Sequence, residues 1–402
     1  MANLISVVRA HEIIADTAQL LDQEHINLRG AIGRVLATDM RAKLSLPPND
    51  ASAMDGYAIL REEHHTKGSV FNLIGEAPAG DAFQGKVESG NCVRIFTGGA
   101  IPEGANHVII QENVQADGDV ITLSEPVSPA AHIRKKGIDF NQGDLILNKG
   151  AHLDAYSIAL LSAANHNQVR VYKRPKIAMI ANGDELSEPG YAKAGQVVSS
   201  NPYGLAPLIK QWGGEALFID ICKDEPKAIQ ACIEKCSDVD ILLPIGGASV
   251  GDRDYMRGVF EALGFEKKFA KVAVKPGKPV WFGKLASQYV LGLPGNPASA
   301  LVTAHVFLKP LLFALTGRAD TAHNKITAHL NIDMPANTWR SEYVRASVNI
   351  DSNGKVWVTP SPRQDSSLIT PFVNCNCLLV RRPNTPALTR GDLVEILMTK
   401  PF

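Results

Sequence analysis

The period of the apolar positions changes three times along the chain. Ser6 to Leu21 places Val7, Ile14, Ala18 and Leu21 on one side at helical spacing, and Gly30 to Met40, with Ile32, Val35 and Leu36, predicts a second, shorter helix. Pro47-Pro48 breaks that pattern. From there to about Ile138 the chain reads as short alternating runs separated by Gly and Pro: Tyr57-Ala-Ile, Val70-Phe-Asn-Leu-Ile, Asn91-Cys-Val-Arg-Ile-Phe, His107-Val-Ile-Ile and Asp119-Val-Ile-Thr-Leu. This pattern predicts a β-rich unit. Strand-then-helix signals return from Leu145 to Val171, so the β-rich unit is expected to be an insertion in an N-terminal domain.

From Lys176 to Leu315 the apolar runs become continuous and alternate with helix signals. Lys176-Ile-Ala-Met-Ile-Ala181 ends in Asn182-Gly-Asp-Glu185, Ile241 to Ile245 ends in Gly246-Gly247, and Tyr289-Val-Leu-Gly-Leu293 ends in Pro294-Gly295-Asn-Pro297. Between them Asn201 is read as capping a helix Pro202 to Trp212, Pro226 opens Lys227 to Cys236, and Tyr255 to Leu263 follows the glycine loop. Strands alternating with helices predict a doubly wound parallel sheet, and ligands of such sheets sit beyond the carboxyl ends of the strands. From His323 to Phe402 alternation returns, in Ile326-Thr-Ala-His-Leu, Tyr343-Val-Arg-Ala-Ser-Val, Val356-Trp-Val-Thr, Cys377-Leu-Leu-Val and Leu393-Val-Glu-Ile-Leu, which predicts a small barrel or sandwich. The expected fold is multidomain α/β plus β. Residues 1–46 with 139–174 form an elongated α/β linker domain, 47–138 the inserted β-rich domain, 175–318 the central α/β domain and 322–402 the C-terminal barrel.

Composition narrows the function classes. The 402 residues carry 45% hydrophobic and 20% charged side chains, enough core material for several globular domains. Lys+Arg 41 balance Asp+Glu 41, so there is no global basic field for nucleic acid or an anionic membrane, and any anion must be recognised locally. The longest apolar stretch, Ala298 to Leu315, contains His305, Lys309 and Pro310, which suits a buried, kinked helix better than a membrane span. No secretory signal is read at the N-terminus, because Arg9, His11 and Glu12 interrupt the apolar segment. The 6 Cys show no paired C-x-x-C arrangement, and reduced core thiols in a cytoplasmic protein are expected.

The chemistry-bearing residues fall on loops. Gly246, Gly247 and Ser249, followed by Asp252 and Asp254, can cradle a phosphate on peptide N–H groups and share a Mg²⁺ with it; alternatively an aspartate simply caps the next helix. Asp224, after the strand Glu215 to Ile221, has the same two readings. Lys271-Val-Ala-Val-Lys275-Pro-Gly-Lys278-Pro279 alternates like a strand ending in a cationic turn, which opposes the carboxylates across a cleft. Asp55-Gly56, Gly98-Gly99 after Thr97, and Asp139 also fit ordinary turns. Arg340, Arg345 and Ser366-Ser367 offer an anion site in the C-terminal unit, where strand arginines and turn serines also serve structure.

Taken together, Ser52-Ala-Met-Asp-Gly-Tyr-Ala58, Thr97-Gly-Gly-Ala-Ile-Pro-Glu-Gly104, Gly183-Asp-Glu-Leu186, Gly246-Gly-Ala-Ser-Val-Gly251, Lys275-Pro-Gly-Lys-Pro279, Leu293-Pro-Gly-Asn-Pro297 and Arg340-Ser-Glu-Tyr-Val-Arg-Ala346 resemble the molybdopterin molybdenumtransferase family, which includes the gephyrin E domain. The resemblance covers nearly the whole chain in order. It implies an elongated four-domain homodimer whose α/β unit binds molybdopterin. It also implies Mg²⁺-dependent insertion of molybdate into adenylyl-molybdopterin with release of AMP. On the family pattern the catalytic set falls on Asp55, Thr97, Asp139, Glu185, Asp224, Asp254, Lys271 and Lys275, with Asp55, Thr97 and Asp139 facing the cleft of the partner subunit. Glu185, Asp224 and Asp254 would hold Mg²⁺. Asp184, Gly246, Gly247, Ser249, Lys278, Pro294, Gly295 and Pro297 would bind substrate, and molybdate would fall on Arg340 or Arg345 with Ser366 or Ser367. Arg363-Gln-Asp-Ser-Ser-Leu368 departs from the family pattern.

The partners implied are small molecules, a second copy of the chain and other cofactor-maturation proteins. Two other readings use the same residues: a molybdopterin adenylyltransferase or nucleotide pyrophosphohydrolase on the same fold, and a non-catalytic scaffold.

Overall fold

The computed structural model describes residues 4–246, 255–320 and 325–400. Its centre is a six-stranded sheet in the order Glu215–Phe218, Lys176–Ala181, Ile241–Ile245, Gln288–Gly292, Trp281–Leu285, Glu266–Ala270. The first four strands run parallel, and Trp281–Leu285 runs antiparallel to both of its neighbours. Ile241–Ile245 is buried at every position, as a strand covered by helices on both faces must be, which is why its sequence is an unbroken apolar run. Helices Asn201–Gln211, Pro226–Glu234 and Tyr255–Ala262 connect the strands.

The apolar stretch after Pro294 folds as helix Pro297–Thr303, a π turn Ala304–Leu308 and helix Lys309–Thr316. This run, Pro297–Thr316, is long and apolar enough by composition to cross a membrane, yet its apolar window is 78% buried within the protein. Pro310 has no N–H to give Val306 four residues earlier, and the ring of His11 takes that role: Nε2 lies 2.8 Å from the Val306 carbonyl. Burial holds His11 below the ordinary imidazole range, so at neutral pH the uncharged ring donates this bond. His11 lies on helix Val7–Thr17, whose cap is the Ser6 hydroxyl accepting from Arg9 N–H at 3.1 Å. Val7, Ala10 and Ile14 enter the same core as Phe307, Leu311, Ile177 and Met179.

The C-terminal unit is a closed five-stranded barrel. Ser341–Ile350 pairs with both Val356–Pro360 and Cys377–Arg381, and Lys325–Leu330 and Leu393–Met398 complete the ring. Val274–Lys275 adds to it in parallel with Ser341 and Glu342, fastening the lysine turn of the α/β unit to the barrel. In the N-terminal part, Gln23–Asn27 pairs with Gln168–Tyr172 and Met40–Arg41 with Leu145–Leu147, so chain from both sides of the β-rich segment shares one unit. That segment forms a six-stranded sheet of its own, His107–Ile110, Gly56–Ile59, Asn91–Ile95, Val70–Ala77, Val120–Leu123, Val114–Asp117.

Three expectations fail. Gly30 to Met40 is not a helix: a 3₁₀ turn Leu28–Gly30 is followed by Gly33 at φ +74°, and Val35 and Leu36 make isolated bridges to His152 and Val171. Their apolar spacing serves two different neighbours, not one helical face. Asn201 does not cap its helix, because its Nδ2 donates to the Gly295 carbonyl at 2.7 Å and no side chain caps that end. Cys222 and Cys232 are joined as a disulfide across 10 residues, whereas Cys92, Cys236, Cys375 and Cys377 are free and buried.

The sulfur pair escaped the sequence reading because Cys222 precedes the helix and Cys232 lies on it, a spacing with no motif. Closing a loop of that length stabilises by about 2–3 kcal/mol in the chain-entropy account. Urea unfolding with and without a dithiol reductant is expected to differ by that amount, and identical midpoints would refute the bond.

Candidate active site

The carboxyl ends of the parallel strands converge on one cleft of roughly 620 Å³, lined by Asn182, Glu185, Ser199, Asn201, Gly246, Pro279, Pro294, Gly295, Asn296, Pro297 and, from the barrel, Ser367. Short backbone contacts draw the loops together. Gly246 N–H donates to Leu293 O at 3.1 Å, and Gly246 sits at φ +97° with the place of a Cβ only 3.2 Å from Asn182 O. A Cβ on Gly295 would stand 3.3 Å from the Gly246 Cα. Glycine at 246 and 295 is therefore set by the close approach of two backbones as well as by the turn.

The acidic loops are stitched in the same way. Cys222 N–H donates to Ala181 O at 2.8 Å, and the Asn182 amide donates to the carbonyls of Cys222 and Lys223 at 3.4 and 3.1 Å. Asp224 N–H donates to Asp184 Oδ1 at 3.1 Å. These bonds put Asp184, Glu185 and Asp224 on adjoining loops at one rim. The Glu185 carboxylate oxygens lie 2.7 and 2.8 Å from where a Cβ of Gly183 would stand, so a side chain at 183 would displace them. Carboxylate oxygens suit a Mg²⁺ better than any soft metal, and of the three only Glu185 lines the cleft. Gly247, Ser249, Asp252 and Asp254 lie outside the described residues.

The opposite wall comes from the Pro294–Pro297 loop and the barrel. Asn296 Nδ2 donates to Ser366 Oγ at 2.9 Å, and Ala298 N–H donates to Ser366 O at 3.0 Å. Arg345, 1% exposed, holds the Ser366 loop from beneath: its guanidinium donates to Asp365 O at 3.0 Å and Leu368 O at 2.8 Å, and its Nε to Gln364 Oε1 at 3.4 Å. In this geometry Arg345 positions the loop and has no open face for an anion. Ser367 donates through both N–H and hydroxyl to Asp365 Oδ1, and the hydroxyl bond leads the causes that hold the Asp365 carboxyl below the usual range. Arg340 has its Nε buried without a partner and its guanidinium 5.5 Å from the Trp339 ring centre.

The lysines are less gathered than the sequence suggests. Of their turn only Pro279 lines the cleft, among the described residues. Lys275 Nζ pairs with Glu342 Oε1 at 3.0 Å, and Arg381 contacts the other Glu342 oxygen at 3.3 Å. Lys271 and Lys278 have no carboxylate partner among the described residues. Lys271 takes φ +66°, so the alternation read there as one long strand is broken, with only Val274–Lys275 paired as a strand.

Asp55 and Thr97 meet in the inserted unit: Thr97 N–H and Oγ1 donate to Asp55 Oδ1 at 2.7 and 2.8 Å. The backbone N–H, then the hydroxyl, hold the Asp55 carboxyl below its ordinary range. A carboxylate with a lowered native pKa stabilises above its unfolded value near pH 4, and that stability is lost as pH falls through the lowered native value. Carbon NMR of the Asp55 carboxyl is expected to show a midpoint under about 3.9, and an ordinary midpoint would contradict the bond. Asp139 is exposed, its N–H donating to Leu46 O at 3.1 Å; neither it nor Asp55 or Thr97 lines the cleft of its own chain.

Sequence reasoning missed Asn182, Asn201 and Asn296 as cleft residues. Each sits at a strand end or helix start in a run already picked out for its glycines and acids, and an amide there bridges loops instead of capping. The buried, unpartnered Asn201 Oδ1 leaves one acceptor for a ligand.

Comparisons with known proteins agree with this architecture. Residues 5–165 match the model for the MoeA N-terminal region (domain I and II), 178–314 a probable molybdopterin binding domain, and 327–398 the MoeA C-terminal region (domain IV). A molybdopterin molybdenumtransferase of Haemophilus influenzae is 35% identical over 93% of both chains, and one of Nostoc sp. 37% identical over 74% of this chain and 70% of its own. The crystal structure of a molybdopterin biosynthesis MoeA protein from Pyrococcus horikoshii superposes with a TM-score of 0.82 at 29% identity, covering 98% of this chain and 100% of its own. On these matches, the chain belongs to the MoeA family, the family of the molybdopterin molybdenumtransferases.

Proposed function

We propose that the protein is a molybdopterin molybdenumtransferase that inserts molybdate into the dithiolene of adenylyl-molybdopterin and releases AMP, with Mg²⁺ as the cofactor. The observation that carries this reading is the cleft in which Glu185, the Gly246–Gly295 backbone contact and Ser367 of the barrel meet. The Glu185 and Asp224 carboxylates, with Asp184 beside them, would hold the cation. Bound there, Mg²⁺ supplies charge neutralisation at a pyrophosphate and orients it.

The chain's own groups do the rest. Peptide N–H groups at the start of helix Asn201–Gln211, which no side chain caps, would meet anionic oxygens with the positive end of the helix dipole. Lys271 and Lys278, which do not line the cleft, would turn toward it to meet the terminal phosphate or the incoming molybdate dianion. Lys275 joins them by leaving Glu342, whose charge Arg381 continues to balance. Ser366, positioned by Arg345, offers its hydroxyl to molybdate, and Ser367 would do so on releasing Asp365. The substrate brings its own sulfurs, so no protein thiol is required.

The inserted unit completes the site in a homodimer, where Asp55, Thr97 and Asp139 of one subunit face the cleft of the other; a cytoplasmic location goes with this reading. A heterodimer of one Asp55→Ala subunit and one Glu185→Gln subunit then contains one intact cleft. It is expected to recover about half the wild-type rate, whereas a site built within one chain would leave it inactive.

The reaction itself is tested by incubating the protein with adenylyl-molybdopterin and Mg²⁺. AMP release that rises with added molybdate is the expected result. Release indifferent to molybdate would point to a pyrophosphohydrolase, and no release to a scaffold.

A further inference from the structure

Away from the cleft, on the loop that follows strand Gly56–Ile59, three metal-ligating side chains come within reach of one another. The Glu62 Oε2 lies 3.5 Å from His64 Nε2 and 3.7 Å from His65 Nε2, and the three ligand atoms all fall within 4.8 Å. In a tetrahedral centre with bonds of about 2.0–2.1 Å, neighbouring donor atoms stand about 3.3 Å apart, so two of the three edges already nearly match. We propose that Glu62, His64 and His65 form a binding site for a borderline first-row dication, with Zn²⁺ as its best fit and solvent in the fourth position.

The donors are held in place. Ser89 Oγ donates to Glu62 Oε2 at 2.9 Å, fixing the carboxylate from across the turn. The His65 side chain is 5% exposed and packs edge-on against Phe71 at 4.9 Å between centroids, while His64, 73% exposed, closes from the solvent side with its ring 4.6 Å from that of His65. Two imidazoles and one carboxylate suit Zn²⁺ and its neighbours and are a poor set for Mg²⁺ or Ca²⁺.

The proton accounting is specific. His65 Nδ1 accepts the Glu62 N–H at 3.2 Å, so without metal the ring proton is on Nε2, toward the carboxylate. Coordination through Nε2 moves that proton to Nδ1, so the bond from the Glu62 N–H to Nδ1 is given up. No net proton is released by this ring.

The test titrates Co²⁺ into untagged, chelator-stripped full-length protein in excess Mg²⁺, which occupies oxygen-donor sites. One equivalent with the intense visible absorption of tetrahedral Co²⁺, displaced by Zn²⁺, is expected. His64→Gln and Glu62→Gln should each weaken Co²⁺ binding at least about tenfold while molybdate-dependent AMP release stays at the wild-type rate. A weak six-coordinate spectrum, absence of saturation, or equal affinity in wild type and His64→Gln would overturn the proposal. Because the readout is the metal spectrum, it stands or falls separately from the transferase activity.

Discussion

Glu185→Gln is expected to slow molybdate-dependent AMP release by about 10²–10³-fold with no change in thermal stability. Glu185 is exposed and lines the cleft, so removing its charge leaves no hole and no buried orphan. What it removes is one of the carboxylates that would hold the cation at the pyrophosphate. If charge is the cause, the loss deepens at low Mg²⁺ and is relieved in part by raising it. Glu188→Gln serves as the control: that carboxylate accepts from Tyr203 Oη at 2.7 Å, does not line the same cleft, and its loss should leave the rate nearly unchanged. Equal effects of the two substitutions, measured by initial rates across Mg²⁺ concentrations, would deny Glu185 its special place.

The second large effect is on architecture. Arg345→Ala is expected to cost about 3–4 kcal/mol in urea unfolding, because a buried charge-assisted donor set is removed from two carbonyls and an amide oxygen and a cavity is left beneath the Ser366 loop. Burial, the largest cause, lowers the Arg345 pKa, but the group remains a cation at any ordinary pH. Because the loop also carries the Ser366 contact to Asn296, the KM for molybdate should rise with the loss of stability. Arg345→Lys keeps the charge but not the planar fork, and is expected to fall between the two. An Arg345→Ala protein with wild-type stability and raised KM alone would instead make Arg345 a direct ligand.

How much of this was legible depended on whether a signal was local. The strand Ile241–Ile245, buried on both faces, announces itself as an apolar run, and the barrel strands do so by alternation. The loops after the parallel strands follow from the rule that such sheets bind at their carboxyl ends, and Glu185, Gly246 and Pro294 to Pro297 do line one cleft.

What failed was set by contacts distant in sequence. Val35 and Leu36 look helical until His152 and Val171 claim them, and Lys275 looks free until Glu342, 67 residues on, pairs with it. Arg345 reads as an anion ligand by residue type, whereas its partners are carbonyls 20 and 23 residues further along. The π turn before Pro310 could be placed only once His11, 295 positions away, was seen to take the Val306 carbonyl.

The position of the divalent cation decides between these mechanisms. Crystals grown with AMP, molybdate and Mn²⁺ in place of Mg²⁺, measured at the manganese edge, locate it directly. The expected anomalous peak lies about 2.1–2.2 Å from carboxylate oxygens of Glu185 and Asp224, at the rim shared with Gly246. A peak remote from both carboxylates, with AMP bound elsewhere, would contradict it.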